Sequence, residues 1–141
     1  MSKYNDLTFL QNIKEFIKEN CSEIKEVELF QFPERPAFPM VVISMNEELE
    51  REQDIDSSRD INYLNVILDI NIFTKSTNTQ KNKYLSCMIL KNTIIDLLKN
   101  NKDYKNIILQ LDRQLPNLNS EVCRWKLTFS LLVDTKKNII L

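Results

Sequence analysis

The 141-residue sequence contains no glycine. Glycine is the residue that takes positive φ without steric cost. A chain without it must turn on Pro, Asn, Asp and Ser, or hold another residue at positive φ under strain. The same absence removes chemistry. The phosphate-cradling P-loop, the dinucleotide fingerprint and the nucleophile elbow all need glycine where backbone must approach a ligand or bend sharply. Histidine is absent too. That excludes Ser-His and Cys-His nucleophile pairs, imidazole bases and His-bearing metal sites. Most common enzyme designs are therefore closed to this chain.

Residues 30–45, FQFPERPAFPMVVISM, show how turns are made instead. Pro33, Pro36 and Pro39 recur at every third position and are followed by an apolar run. A P-x-x-P ligand needs an exposed, mobile context. Here the prolines stand between two predicted core strands. They read as a stiff connection in which Pro33 ends one strand and Pro39 launches the next.

The length suits one domain, 1–141, with one core. Apolar residues make up 43% and charged residues 28%, an ordinary globular balance. The net charge of −1 offers no basic excess for nucleic-acid phosphates, so specific nucleic-acid binding is not expected. No apolar run reaches membrane-spanning length, and the N-terminus lacks a signal-peptide core, which predicts a soluble protein made in the cytoplasm. Cys21, Cys87 and Cys123 are odd in number and widely spaced. They read as buried thiols rather than a disulfide or zinc framework.

Hydrophobic periodicity predicts the elements. Residues 6–20 form a helix with Phe9, Leu10, Ile13, Phe16 and Ile17 on one arc and Asp6 as N-cap. Residues 25–32 alternate as a strand, and 40–45 form a short, well-covered strand. The acidic stretch 47–58 is either a long surface loop or the extended arm of a hairpin. Residues 60–74 alternate cleanly, with Leu64, Val66, Leu68, Ile70 and Ile72 pointing one way. A long helix follows over 78–100. Residues 106–114 form the fourth strand, 115–120 (LPNLNS) a turn, and 121–134 the fifth strand. In that last strand Cys123, Trp125, Leu127, Phe129, Leu131 and Val133 face inward. The tail 135–141 is either loose or docks on a neighbour. The order α-β-β-β-α-β-β predicts a single α+β domain. One mainly antiparallel sheet packs against two helices, with hairpins flanking a crossover unit.

Three groups of residues invite a functional reading. Glu47, Glu48, Glu50, Glu52, Asp54 and Asp56 lack EF-hand spacing and an apolar pocket that would raise one carboxyl pKa. They read as a solvated segment, or as a surface facing a partner. Arg124 and Lys126 lie on the polar face of the fifth strand, as ordinary solvated positions or as contacts for an acidic partner. The second helix is apolar nearly all round. Tyr84, Cys87, Met88, Ile94, Ile95 and Leu98 make one broad face. Leu90 and Leu97 widen one flank; Leu85 and Ile89 widen the other. Such a helix is buried on more than one side. Either it sits deep in a monomer or it meets another subunit, and the reading here favours the subunit, with Leu90 and Leu97 as the contact.

The sequence of elements resembles a known family. An amphipathic helix precedes FPERPAFPMVVISM. An acidic connection leads to LNVILDINIFTK; KNKYLSCMILKNTIIDLL then precedes a closing pair that ends in CRWKLTFSLLV. This looks like the tail terminator (tail-completion) proteins of tailed phages and contractile phage-tail-like particles. The resemblance covers most of the chain and rests on element order and strand style rather than on a diagnostic motif. It implies a non-enzymatic subunit without cofactor or metal, assembling as a homo-oligomeric ring, typically a hexamer. Such a ring caps the tail tube protein, ends tail polymerisation and joins the tail to the head-completion protein, with a sheath protein as a further contact in contractile tails. It implies assembly in the bacterial host cytoplasm and a final place at the head-proximal end of the tail. It would put the acidic residues 47–56 near the tube or lumen. Another small neck, head-tail connector or baseplate protein is the alternative.

Overall fold

A computed structural model of the chain describes residues 4–53, 60–76, 82–119 and 121–141. The fold is α+β, with two helices and a six-stranded, mostly antiparallel sheet. Helix α1 spans Asp6–Asn20. Its cap is Asn5, whose Oδ1 accepts from the Thr8 amide at 3.0 Å. Asp6, the expected cap, is already the first helical residue. A cap must keep extended backbone, and Asn5 does so at φ −138°, ψ 121°. Asp6 instead places a carboxylate in the first turn, where the helix dipole favours it. Helix α2 spans Lys83–Asn100 and is capped by Asn82, which accepts from the amides of Tyr84 and Leu85. The predicted start at 78 lies outside the described residues.

The strands are β1 (Glu26–Leu29), β2 (Met40–Gln53), β3 (Asp60–Lys75), β4 (Ile108–Asn119), β5 (Val122–Asp134) and β6 (Ile139–Ile140). Their spatial order is β1-β2-β3-β5-β4, with β6 also pairing with β5. Four expectations change. First, β1 and β2 pair in parallel, Glu26 beside Met40 and Leu29 beside Ile43, and are not a hairpin. β1 is only four residues long, so the 30–39 segment can return to its start in one pass. Second, β2 does not stop at Met45. It continues through the acidic residues to Gln53, paired antiparallel with β3 as far as Asp60. Over 47–53 the hairpin-arm reading is the correct one; 54–58 lie outside the described residues.

Third, residues 115–119 are not a turn. They extend β4, and a register shift between Leu115 and Asn119 accommodates Pro116. Proline is tolerated there because β4 is an edge strand and a bulge needs no ladder donor. Fourth, the C-terminal tail is neither loose nor left for a neighbour. It reverses at residues 135–138 and pairs as β6 with Val133 and Asp134. The Asp134 carboxylate accepts from the amides of Lys136 and Lys137, and Asn138 supplies a left-handed residue at φ 57°. Asn138 and Phe30 (φ 66°) are the positive-φ residues among those described. The glycine-free chain thus uses Asn, which tolerates this region, once, and a bulky Phe, which does not, once.

The two faces of the sheet differ. Both helices lie on one side, here the near face. There Ile13 and Ile17 of α1 and Cys87, Leu90, Ile94 and Leu98 of α2 join Val41, Ile43, Val66, Leu68, Ile70, Ile72, Leu127 and Phe129 in one buried core. On the far face a small second cluster holds Met40, Val42, Phe73 and Val122, covered by Phe38. This is the structural role of the prolines. The 30–39 segment folds over one end of the far face, and its apolar side chains seal it. Phe32 stands edge-on to Phe73 at 5.2 Å. The segment is pinned by Ala37 N–H to the Glu26 carboxylate, Lys25 N–H to the Pro39 carbonyl and Phe30 N–H to the Ile43 carbonyl.

Candidate interaction surface

All three cysteines are buried free thiols, and burial is the main cause that raises each pKa. Cys87 is pushed up to about 12 and Cys21 to about 11. They are protonated at neutral pH and poor nucleophiles. Tyr4 is likewise held far above the ordinary phenol range, by burial first and by its hydrogen bond to Glu47 second. Among the described residues no group of three or more His, Cys, Asp or Glu side chains could hold a metal. A groove of about 440 Å³ lies between the C-terminal halves of the helices, with Phe16 and Leu97 beside Asn20 and Asp96. Thr93 lines it as well, and its hydroxyl donates to the Ile89 carbonyl at 2.9 Å. No described helix is long and apolar enough to cross a membrane.

What the structure offers is surface. Leu90, one of the two residues assigned to a subunit contact, is a core residue at 2% exposure. Leu97, the other, is half-buried and packs against the same core. Leu90 joins the near-face core, and Leu97 lines the groove beside Phe16 of α1. The side of α2 left uncovered is the other flank. Tyr84, Leu85, Met88 and Ile89 are 40% to 53% exposed. The i, i+4 spacing of 84 with 88 and 85 with 89 sets them in one strip. The signal was in the helical wheel, which showed both flanks but not which one the sheet would take.

This strip adjoins β4. Asn117 donates to the Tyr84 hydroxyl at 2.9 Å, and Lys91 pairs with Asp112 at 2.9 Å. Asp112 also accepts from Trp125 Nε1 at 2.7 Å, and the Lys91 ammonium sits 5.0 Å from the Trp125 ring centroid. Trp125 is therefore half-buried, pointing toward the core side as expected but clamping α2 to the β4–β5 pair with its polar edge. Ile108 and Leu109, at the start of β4, are exposed as well.

The acidic residues separate. Register places Glu47 on the near face with Val66, and Glu48 on the far face with Asn65. In the ladder Glu50 stands opposite Tyr63 and Glu52 opposite Ile61. Asp54 and Asp56 lie outside the described residues. Glu47 accepts from the Tyr4 hydroxyl, which ties the N-terminus to the arm. Arg124 and Lys126 stay on the far face, as expected, but both have partners within the chain. Arg124 donates to Asn71 at 3.2 Å and lies 5.9 Å from the Phe73 ring centroid. Lys126 is 3.9 Å from Asp69, which also accepts from Thr128. Arg113, beside Lys126 on β4, was not singled out by the sequence; it is exposed and has no ion pair among the described residues.

No protein-family model matches the sequence, and no curated protein matches it.

Proposed function

We propose that this chain is a structural, ring-forming subunit. It caps the tail tube of a phage or phage-tail-like particle, ends tail polymerisation and joins the tail to the head-completion proteins. The observation that carries the reading is the pair of unlike open surfaces on one domain. One side of the sheet ends in β4, flanked by the uncovered apolar strip of α2. The opposite side ends in the short β1 and the unpaired remainder of β2. A closed ring needs this: each copy must present two different patches, because head-to-tail contacts are not self-complementary. An exposed apolar strip also needs a reason to stay uncovered, and a neighbour supplies one. The element order resembles tail terminators over most of the chain, which supports six copies contacting the tube protein below, the head-completion protein above and, in a contractile tail, the sheath.

The experiment replaces Leu85 and Ile89 with Lys and examines particles by electron microscopy. Both side chains are exposed, so the variant keeps its fold. The expected result is tails of uncontrolled length lacking the cap. Tails of uniform length ending in a six-fold cap would overturn the assignment of this strip. A ring located at the end of the tail away from the head would replace the terminator reading with a baseplate role.

A further inference from the structure

We infer that neighbouring copies join edge to edge, β4 of one copy pairing antiparallel with the Ser44–Gln53 stretch of β2 in the next. The inference rests on the ring-forming reading and names its contact. On one side of the molecule β2 is covered by β1 only over Met40–Ile43. From Ser44 to Gln53 it is bonded to β3 alone among the described residues. On the opposite side the β4 backbone pairs, among the described residues, with β5 alone, with register shifts between Leu109 and Leu111 and between Leu115 and Asn119. These are two open edges on opposite sides of one sheet, ten residues of β2 facing the regular Leu111–Leu115 stretch of β4. An open edge of this length presents a row of unsatisfied amides and carbonyls and pairs readily with another chain.

Direction and charge agree with the pairing. β2 and β3, β3 and β5, and β5 and β4 are each antiparallel. β4 therefore runs opposite to β2, and copies related by rotation meet with these strands antiparallel. β4 carries the exposed Arg113 on the far face, in register with Lys126. The open stretch of β2 carries the exposed Glu48 on the same face. A cross-strand Arg–Glu contact is favourable, and the like-charge alternatives are not. The near face is consistent as well. The uncovered strip of α2 flanks β4, so it comes to lie over the neighbour's arm, where Met45 is half-buried. β1 excludes the neighbour from Met40–Ile43, so each copy is staggered along the strand direction and the strands run oblique to the ring axis. A closed sheet needs that geometry.

The test uses single cysteines. Arg113→Cys is mixed with Glu48→Cys or with Glu50→Cys, and the mixture is oxidised under mild conditions at high protein concentration. The three native thiols are buried and do not compete. The expected product is a cross-link in the mixed sample, at one of the two glutamate positions, and none in either variant alone. Without the introduced cysteines, Arg113→Glu should weaken association about tenfold, and Glu48→Arg with Glu50→Arg should restore it in the same chain. Native mass spectrometry reads the oligomer. A ring that forms without this cross-link, or an Arg113→Cys homodimer, overturns the edge pairing and leaves the ring-forming reading standing. A chain that neither oligomerises nor cross-links at any concentration overturns both.

Discussion

The two helices of this protein behave differently. α1 has one apolar arc and a polar remainder; of that arc it buries Phe9, Leu10, Ile13 and Ile17 and half-buries Phe16. α2 is apolar on nearly every side, and it buries Cys87, Leu90, Ile94 and Leu98 while leaving Tyr84, Leu85, Met88 and Ile89 in solvent. An amphipathic helix announces its orientation because only one rotation hides the apolar surface. A helix with two apolar flanks does not. Its rotation is decided by what the sheet presents, and the flank left over becomes surface that intramolecular packing does not explain.

The sharpest way to break this comparison is to charge the two flanks of α2 separately. Leu90→Lys puts an ammonium into the core with no partner. We expect a loss of several kcal/mol and a chain that is unfolded or nearly so by circular dichroism. Leu85→Lys with Ile89→Lys should leave the thermal midpoint within the change of about 0.5 kcal/mol usual for surface sites. Equal destabilisation by the two variants would show that the assigned rotation of α2 is wrong.

A smaller effect is expected at alkaline pH, where the buried thiols report on both helices. Cys87 has an ordinary value of 9 when exposed and about 12 in the fold. Below pH 9 the thiol is protonated in both states and stability is complete. Between 9 and 12 the unfolded chain gives up its proton first, so stability falls as pH rises. Cys21 on the α1 side acts in the same direction up to about 11. The denaturant midpoint should therefore decline above pH 9, and less steeply in Cys87→Ala if that variant folds. A midpoint flat to pH 11 would mean that the thiols are not held away from water.

The smallest effects concern the helix starts. Asn5 and Asn82 cap α1 and α2 through side-chain acceptors. Asn5→Ala and Asn82→Ala should each cost about 1 kcal/mol, read from urea unfolding. If Asp6→Ala proved the costlier change at the first helix, the cap would belong one residue later, where the sequence first placed it.

Much of this architecture was legible in advance, and the residues show why. β3 and β5 could be read to within a residue or so because their alternation persists over many positions, and only one register hides Val66, Leu68, Ile70 and Ile72 together with Leu127, Phe129, Leu131 and Val133. The reach of β2 was not legible. Glutamates at 47, 48, 50 and 52 have poor strand propensity, and it is the β3 partner that holds them extended. Nor was the course of β4 through Pro116, since a proline in LPNLNS looks like turn chemistry until an edge position and a bulge make it acceptable. Arg113 was overlooked for the same reason: nothing marks an isolated surface arginine until the sheet order puts it on an open edge.

The sequence by itself determined the α+β class, the two helices, the faces of the long strands, the buried state of the three thiols and the structural use of the prolines. Each of these follows from local periodicity or from the chemistry of single residues, which a chain carries wherever it folds. Tertiary structure alone decided that β1 lies parallel to β2, that the tail returns as β6, which flank of α2 is exposed, and that the sheet ends in two unlike edges. These are outcomes of competition between distant segments for the same apolar surface and the same backbone partners, and no window of sequence contains both competitors.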